Sequence, residues 1–192
     1  MKKLLLLLSI PILLTGCFGS DEETDNTGTD SEQQGYYYEY ITAEFTIEAP
    51  DTWEKITSFT SEYPDEIRVA FRNNVKDSDF VANVTVLRED NETSLTNADW
   101  AQKKLNDHAE TIINYQLISQ EESSSKVAGA TSNTLLNTFQ GKNDTSGPTL
   151  SFAQTYLTKG TKAFTVTATY RPEEDPFAIE KMNTMLRSFT LK

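Results

Sequence analysis

The sequence contains one cysteine, Cys17, and one histidine, His108. A single thiol excludes any disulfide within the chain, so stability has to come from an ordinary core whatever the redox compartment. A single imidazole excludes zinc sites built on several histidines. No apolar run reaches the roughly 20 residues that a membrane-spanning helix needs. Neither a glycine-rich phosphate loop nor a G-x-S-x-G nucleophile elbow occurs. Basic residues are outnumbered, 17 against 29 acidic ones, for a formal charge of -12. No basic stripe offsets that balance. Nucleic acid is therefore a poor partner, because phosphate neutralisation supplies most of that affinity, and contact with an anionic membrane surface is disfavoured for the same reason.

What is present begins with a leader. Lys2 and Lys3 precede an apolar stretch from Leu4 to Leu14, broken only by Ser9 and Pro11. This is the length of a signal-peptide core. Thr15 and Gly16 lead into the lone cysteine, and Leu14-Thr15-Gly16-Cys17 resembles a bacterial lipobox. That resemblance implies cleavage before Cys17 and lipidation of its sulfur, with diacylglycerol and acyl (palmitate) chains as the only expected attached group. Two chains give stable membrane attachment where one binds marginally. Loss of residues 1–16 takes the formal charge from -12 to -14, since Lys2 and Lys3 go with them. From 17 to 35 the chain is acidic and polar, with Asp21, Glu22, Glu23, Asp25, Asp30 and Glu32 and no basic residue. Such a segment buries too little apolar surface to offset its ordering entropy, and reads as a tether of about 25 Å r.m.s. span. "ETDNTGTD" within it lacks the ligand pattern and closing glutamate of a calcium loop. The expected organisation is a signal peptide at 1–16, a lipidated tether at 17–35 and one domain at 36–192.

In the domain, "EFTIEAP" alternates Phe45 and Ile47 with polar residues as a strand, and Trp53 opens a short second one. "EIRVAFR" and "FVANVTVLRED" are strands joined by the polar loop "NNVKDSD", with Phe80, Ala82, Val84 and Val86 on one face. The period then becomes helical. Thr96 is a cap with Asp99 as its capping-box partner, and Ala98, Ala101, Leu105, His108 or Ala109, and Ile112 follow at helical spacing. "YQLISQEE" and "KVAGATSNTLLNTFQ" return to strands, with a serine-rich turn between them and a loop holding Gly141 and Gly147-Pro148 after them. "LSFAQTYLTKGTKAFTVTATY" is a hairpin turning at Lys159-Gly160, with Phe164, Val166, Ala168 and Tyr170 opposite a row of threonines. Asp175-Pro176 starts a closing helix with Ile179, Met182, Leu186 and Phe189 as its apolar stripe. Strands, a helix, four strands and a helix predict an α+β fold, an antiparallel sheet flanked by helices.

Phe45-x-Ile47-x-x-Pro50-x-x-Trp53, two strands ending in "VTVLRED", a helix, "AGATSNTLLNTF", an aromatic hairpin and a helix ending "LRSFTLK" together resemble the PsbP-like (Mog/PsbP) family. The likeness is in particular to its bacterial lipoprotein relatives, which include DcrB-type proteins. The resemblance covers Tyr40 to Lys192 and implies an α/β/α sandwich. It also implies an accessory or binding role without catalysis, and no family functional residue maps onto this sequence.

The sequence carries few side-chain patterns with a chemistry of their own. Asp107 and Glu110 flank His108 but do not share its helix face, so His108 reads as a partly exposed helix residue. Ser123 to Lys126 matches S-x-x-K without the partner motifs that would make it catalytic. The chain is therefore expected not to be an enzyme, with an envelope hydrolase the least favoured alternative. Tyr36, Tyr37, Tyr38 and Tyr40 form an aromatic cluster that could anchor a partner or stack on glycan rings, or pack as an edge strand. Asp77 and Asp79, Glu89, Asp90 and Glu92, and Glu173, Glu174 and Asp175 are acidic loop sets that could supply oxygens to calcium or remain solvated. The leading expectation is an exported, lipid-anchored, non-enzymatic module serving an envelope or membrane protein partner. The alternative is a small-ligand or divalent-cation sensor.

Overall fold

A computed structural model describes residues 36–61, 63–74 and 80–192. Cys17, the tether, Asp77 and Asp79 lie outside the described residues. The elements in chain order are β1 (Tyr37–Ile41), β2 (Phe45–Pro50), β3 (Glu54–Ile56), β4 (Ile67–Arg72), β5 (Asn83–Asp90), α1 (Asn97–Thr111), β6 (Ile113–Val127), β7 (Ala130–Lys142), β8 (Leu150–Lys159), β9 (Lys162–Tyr170), α2 (Pro176–Ser188) and β10 (Thr190–Leu191). Both helix starts follow from local chemistry. Thr96 Oγ1 accepts from the Asp99 backbone N–H at 3.1 Å and donates to Asp99 Oδ2 at 2.7 Å. Asp175 accepts from the Phe177 N–H at 3.0 Å, and Pro176 occupies the first helical position.

The strands form a single ten-stranded sheet in the order β1-β2-β10-β6-β7-β8-β9-β5-β4-β3, curled into a half-barrel. The expected all-antiparallel sheet is corrected at one place. The short β10, which follows α2, pairs antiparallel with β2 but parallel with β6, so the sheet is mixed. The sheet also dominates the molecule more than a helix-flanked sandwich would suggest. Its middle hairpin is covered on both faces. Ala153 and Leu157 of β8 with Phe164, Val166 and Ala168 of β9 join Met182, Met185 and Leu186 of α2 in the main core. The alternate residues face α1, where Tyr156 and Ala163 meet Trp100 and Ala101, and Phe152 meets Leu105. Burial on both faces explains the nearly continuous buried run of β8 and β9.

Several local expectations change. Ala98 and Ala109 are exposed, while Trp100 and Lys104 are the buried helix residues at neighbouring positions. Phe80 belongs with Phe139 and Phe152, apart from Ala82, Val84 and Val86. Ser123 to Lys126 lies inside β6, and the turn falls at Ala128-Gly129, where Ala128 has φ 50° and Gly129 φ 82°. Gly141 lies in β7 and not in the following loop. A Cβ there would run into Ile112 Cγ2 and come 3.0 Å from the Ile113 carbonyl, so the end of α1 can close against β7 only over a glycine.

Candidate interaction surface

The sheet leaves one long edge open in its interior. β6 pairs with β7 along its whole length, with register shifts between Ile113 and Gln116 and between Leu117 and Ser119. On its other side only Val127 has a strand partner, Leu191 of β10. Among the described residues, the outer edge of β6 before Val127 has no strand beside it. None of the residues of β6 is buried. Leu117 and Ile118 are 45% and 50% exposed, next to the second register shift. Bulges and charges such as Glu121 and Glu122 are how sheets blunt an edge against indiscriminate pairing. Exposed leucine and isoleucine work the other way.

Beyond Leu136, β7 also parts from β8, and the start of α1 fills the gap. Asn97 holds it there, donating to Ser132 Oγ at 2.9 Å and to the Asn133 carbonyl at 2.7 Å, and accepting from the Thr158 N–H at 2.8 Å. The far half of the β6–β7 hairpin thus borders a polar groove of about 570 Å³. Glu122, Ser124, Asn133 and Thr134 line it, with Arg187 of α2 at its rim. Ser123 and Lys126, three apart on a strand, point to opposite faces, so the S-x-x-K match does not bring hydroxyl and amine together.

The tyrosine cluster resolves into an edge strand. β1 pairs with β2 along its length. Tyr38 and Tyr40 pack against the main core, with the Tyr40 ring centroid 5.7 Å from Phe71. Burial pushes the Tyr38 phenol up from its ordinary pKa, helped by Tyr40. Only Tyr36, 81% exposed, and Tyr37 remain outward.

The acidic sets are mostly engaged. Glu89 pairs with the buried Lys104, and Asp90 accepts from Arg88 at 2.8 Å. Glu173 stands 3.8 Å from Arg171, and Asp175 caps α2. Glu174, half-buried beside them, donates its N–H to the Arg171 carbonyl. Among the described residues, no three histidine, cysteine or carboxylate side chains converge as a metal site would require.

His108 departs from its expected partial exposure. It is buried, its ring centroid 5.0 Å from that of Phe139 and tilted by 30°, with Nε2 3.0 Å from Gln154 Oε1. Tyr156 Oη donates to the same oxygen at 2.8 Å, Gln154 Nε2 donates to Thr167 Oγ1 at 2.9 Å, and Asn137 Nδ2 lies 3.2 Å from Tyr156 Oη. Desolvation drives the His108 pKa down to about 4, against the Gln154 bond. This polar seam is closed to solvent and holds α1 to the sheet; the threonine row of β9 was its only visible trace in the sequence. Among the described residues, no helix is long and apolar enough to cross a membrane.

No protein-family model and no curated protein matches the chain. Solved structures do. CyanoP, the cyanobacterial PsbP of Synechocystis sp. PCC 6803, superposes with a TM-score of 0.54 at 15% identity, covering 86% of this chain and 98% of that one. LpqN of Mycobacterium tuberculosis, involved in cell envelope biogenesis, gives 0.53 at 12% identity over 83% of this chain and 91% of that one. The Pseudomonas aeruginosa protein PA94, of unknown function, gives 0.52 at 17% identity over 80% and 96%. At such identities the likeness speaks for architecture alone, and in architecture this chain has a PsbP-like fold.

Proposed function

We propose that this chain is a lipid-anchored, extracytoplasmic accessory module without catalytic activity, a PsbP-like α/β/α domain that docks an envelope or membrane protein along β6. The observation that carries the docking is β6 itself, a strand with an open edge, no buried residue and two exposed aliphatic side chains. An extended segment of a partner would satisfy the free main-chain groups and cover Leu117 and Ile118. Glu121 and Glu122 on the same stretch favour a basic segment. The likeness in fold to LpqN, which takes part in cell envelope biogenesis, supports an envelope setting. Anchoring at Cys17 would raise the effective concentration of the domain toward such partners without tight intrinsic affinity.

Replacing Cys17 by serine is expected to move the protein from the membrane fraction to the soluble fraction of cell lysates. Unchanged membrane association of Cys17→Ser would contradict the anchor. The second reading, a small-ligand or divalent-cation sensor, draws support from the polar groove beside the β6–β7 hairpin and none from the carboxylates brought together among the described residues.

A further inference from the structure

Cations scattered through the sequence meet at a second place on the sheet. Where β2, β9 and β10 come together, a notch of about 270 Å³ is lined by Glu44, Lys159, Lys162, Phe164, Leu191 and Lys192. Lys162 Nζ lies 2.6 Å from Glu44 Oε1, and Arg88 Nη1 lies 3.2 Å from the same oxygen. Arg88 also holds Asp90, and Arg68 is close enough to act on both carboxylates. Among the described residues, Glu44 and Asp90 are the only carboxylate side chains in ion pairs with Arg68, Arg88, Lys159, Lys162 or Lys192. The positive surplus persists even when a main-chain oxygen of Lys192 is counted as a further anion.

Two details show that this charge is not used up internally. Among the described residues, Lys159 and Lys192 have no carboxylate side chain as partner. Lys159 Nζ donates to the main-chain oxygen of Lys192, and Lys192 Nζ to that of Thr42 at 2.6 Å. An ammonium has three donors, so each keeps spare N–H groups at the mouth of the notch. The Nε–H groups of Arg68 and Arg88 are buried without a partner among the described residues. A ligand with several acceptor oxygens and more than one negative charge would answer the spare ammonium donors of Lys159 and Lys192, and a single carboxylate such as Glu44 does not.

We propose that this notch binds a phosphate group, with Lys159 and Lys192 as its direct donors and Lys162, Arg88 and Arg68 supplying the field. The chemistry is shared by soluble phosphate esters and by the headgroups of anionic phospholipids, and an anchored domain would meet both. The site is independent of the β6 edge.

The test uses the chain from residue 17 onward carrying Cys17→Ser, which holds every described element and no acyl chain. Inorganic phosphate is titrated while backbone amide shifts are followed by NMR. The proposal expects saturable shifts confined to residues near 44, 159–164 and 191–192. The Lys159→Ala/Lys192→Ala double variant, both residues being exposed, should bind weaker by on the order of a hundredfold, about tenfold for each lost charge-assisted contact. Lys126→Ala, an exposed lysine on β6, should bind as the parent does. Flotation with phosphatidylglycerol vesicles but not phosphatidylcholine vesicles would identify the headgroup as the source; binding of phosphate without flotation would identify a soluble ester. Shifts that do not saturate, or equal weakening by Lys126→Ala, would overturn the site.

Discussion

Trp100→Ala is expected to destabilise the protein by about 3–5 kcal/mol, the range for removing a large buried aromatic side chain. Trp100 is fully buried between α1 and the β8–β9 hairpin, and its Nε1–H donates to Thr165 Oγ1 at 3.0 Å. The ammonium groups of Lys103 and Lys104 sit 4.8 and 4.6 Å from its ring. Lys104 is itself buried and paired with Glu89, so the indole is the plate on which a buried charge rests. Removing it opens a cavity and strips that charge of its neighbour at once. Trp100→Phe keeps most of the apolar surface but leaves the Thr165 hydroxyl without its donor, a loss of about 1–2 kcal/mol. Equilibrium urea unfolding of both variants checks the order. Against a total stability of about 5–15 kcal/mol for a domain, the alanine variant should unfold at markedly lower urea. A loss for Trp100→Ala no larger than for Trp100→Phe would mean that α1 is not held through this residue.

The second large effect is a pH dependence. His108 is neutral in the fold, with its pKa lowered to about 4, chiefly by desolvation, with Lys104 acting in the same direction and Gln154 and Asp107 opposing. Since Gln154 turns its amide N–H toward Thr167, its oxygen faces His108, and Nε2 is the donor; the extra proton would have to enter at Nδ1. Between the ordinary value of about 6.5 and about 4, the unfolded chain binds a proton that the folded chain refuses. Stability therefore falls as the pH drops through that window, by about 3 kcal/mol in all, and is fully present above it. Glutamine at position 108 keeps a donor for Gln154 and cannot take up the proton. The slope of stability against pH between about 6.5 and 4 should flatten in His108→Gln relative to the parent. Glu44 and Asp90, whose pKa values are lowered by Lys162 and Arg88, lose their stabilising contribution at lower pH in both proteins, so the difference isolates His108. Identical slopes would contradict the buried, neutral imidazole.

Features set by neighbouring residues were legible in the sequence. Thr96 and Asp99, Asp175 and Pro176, the alternation of β2, β4, β5 and β9, and the turn at Gly160 each carry their signal within a few positions. What long-range pairing decides was not. β10 is a two-residue strand after a helix, visible only because β2 and β6 lie on either side of it. Trp100 and Lys104 share the buried face of α1 because the sheet offers Thr165 and Glu89 there, which helical periodicity alone does not reveal. His108 reads as polar and surface-bound until Gln154 and Phe139 are brought over it. The basic notch gathers residues from 68 to 192 in a chain whose overall balance is acidic, so composition pointed away from it. The openness of β6 follows from how short β10 is, and only the sheet order exposes it.

Docking along that edge is tested most directly by site-specific photo-cross-linking in cells producing the full chain. The photoreactive residue is placed at Leu117 or Ile118, with Phe177, a 73% exposed aromatic on α2, as the control position. The account predicts one discrete adduct at Leu117 and Ile118, absent at Phe177 and diminished in Cys17→Ser. Mass spectrometry should find the cross-linked peptide in a basic, extended segment of a membrane or envelope protein. Adducts of equal yield at Phe177, a cross-link only to a second copy of this chain, or no adduct at β6 would contradict it.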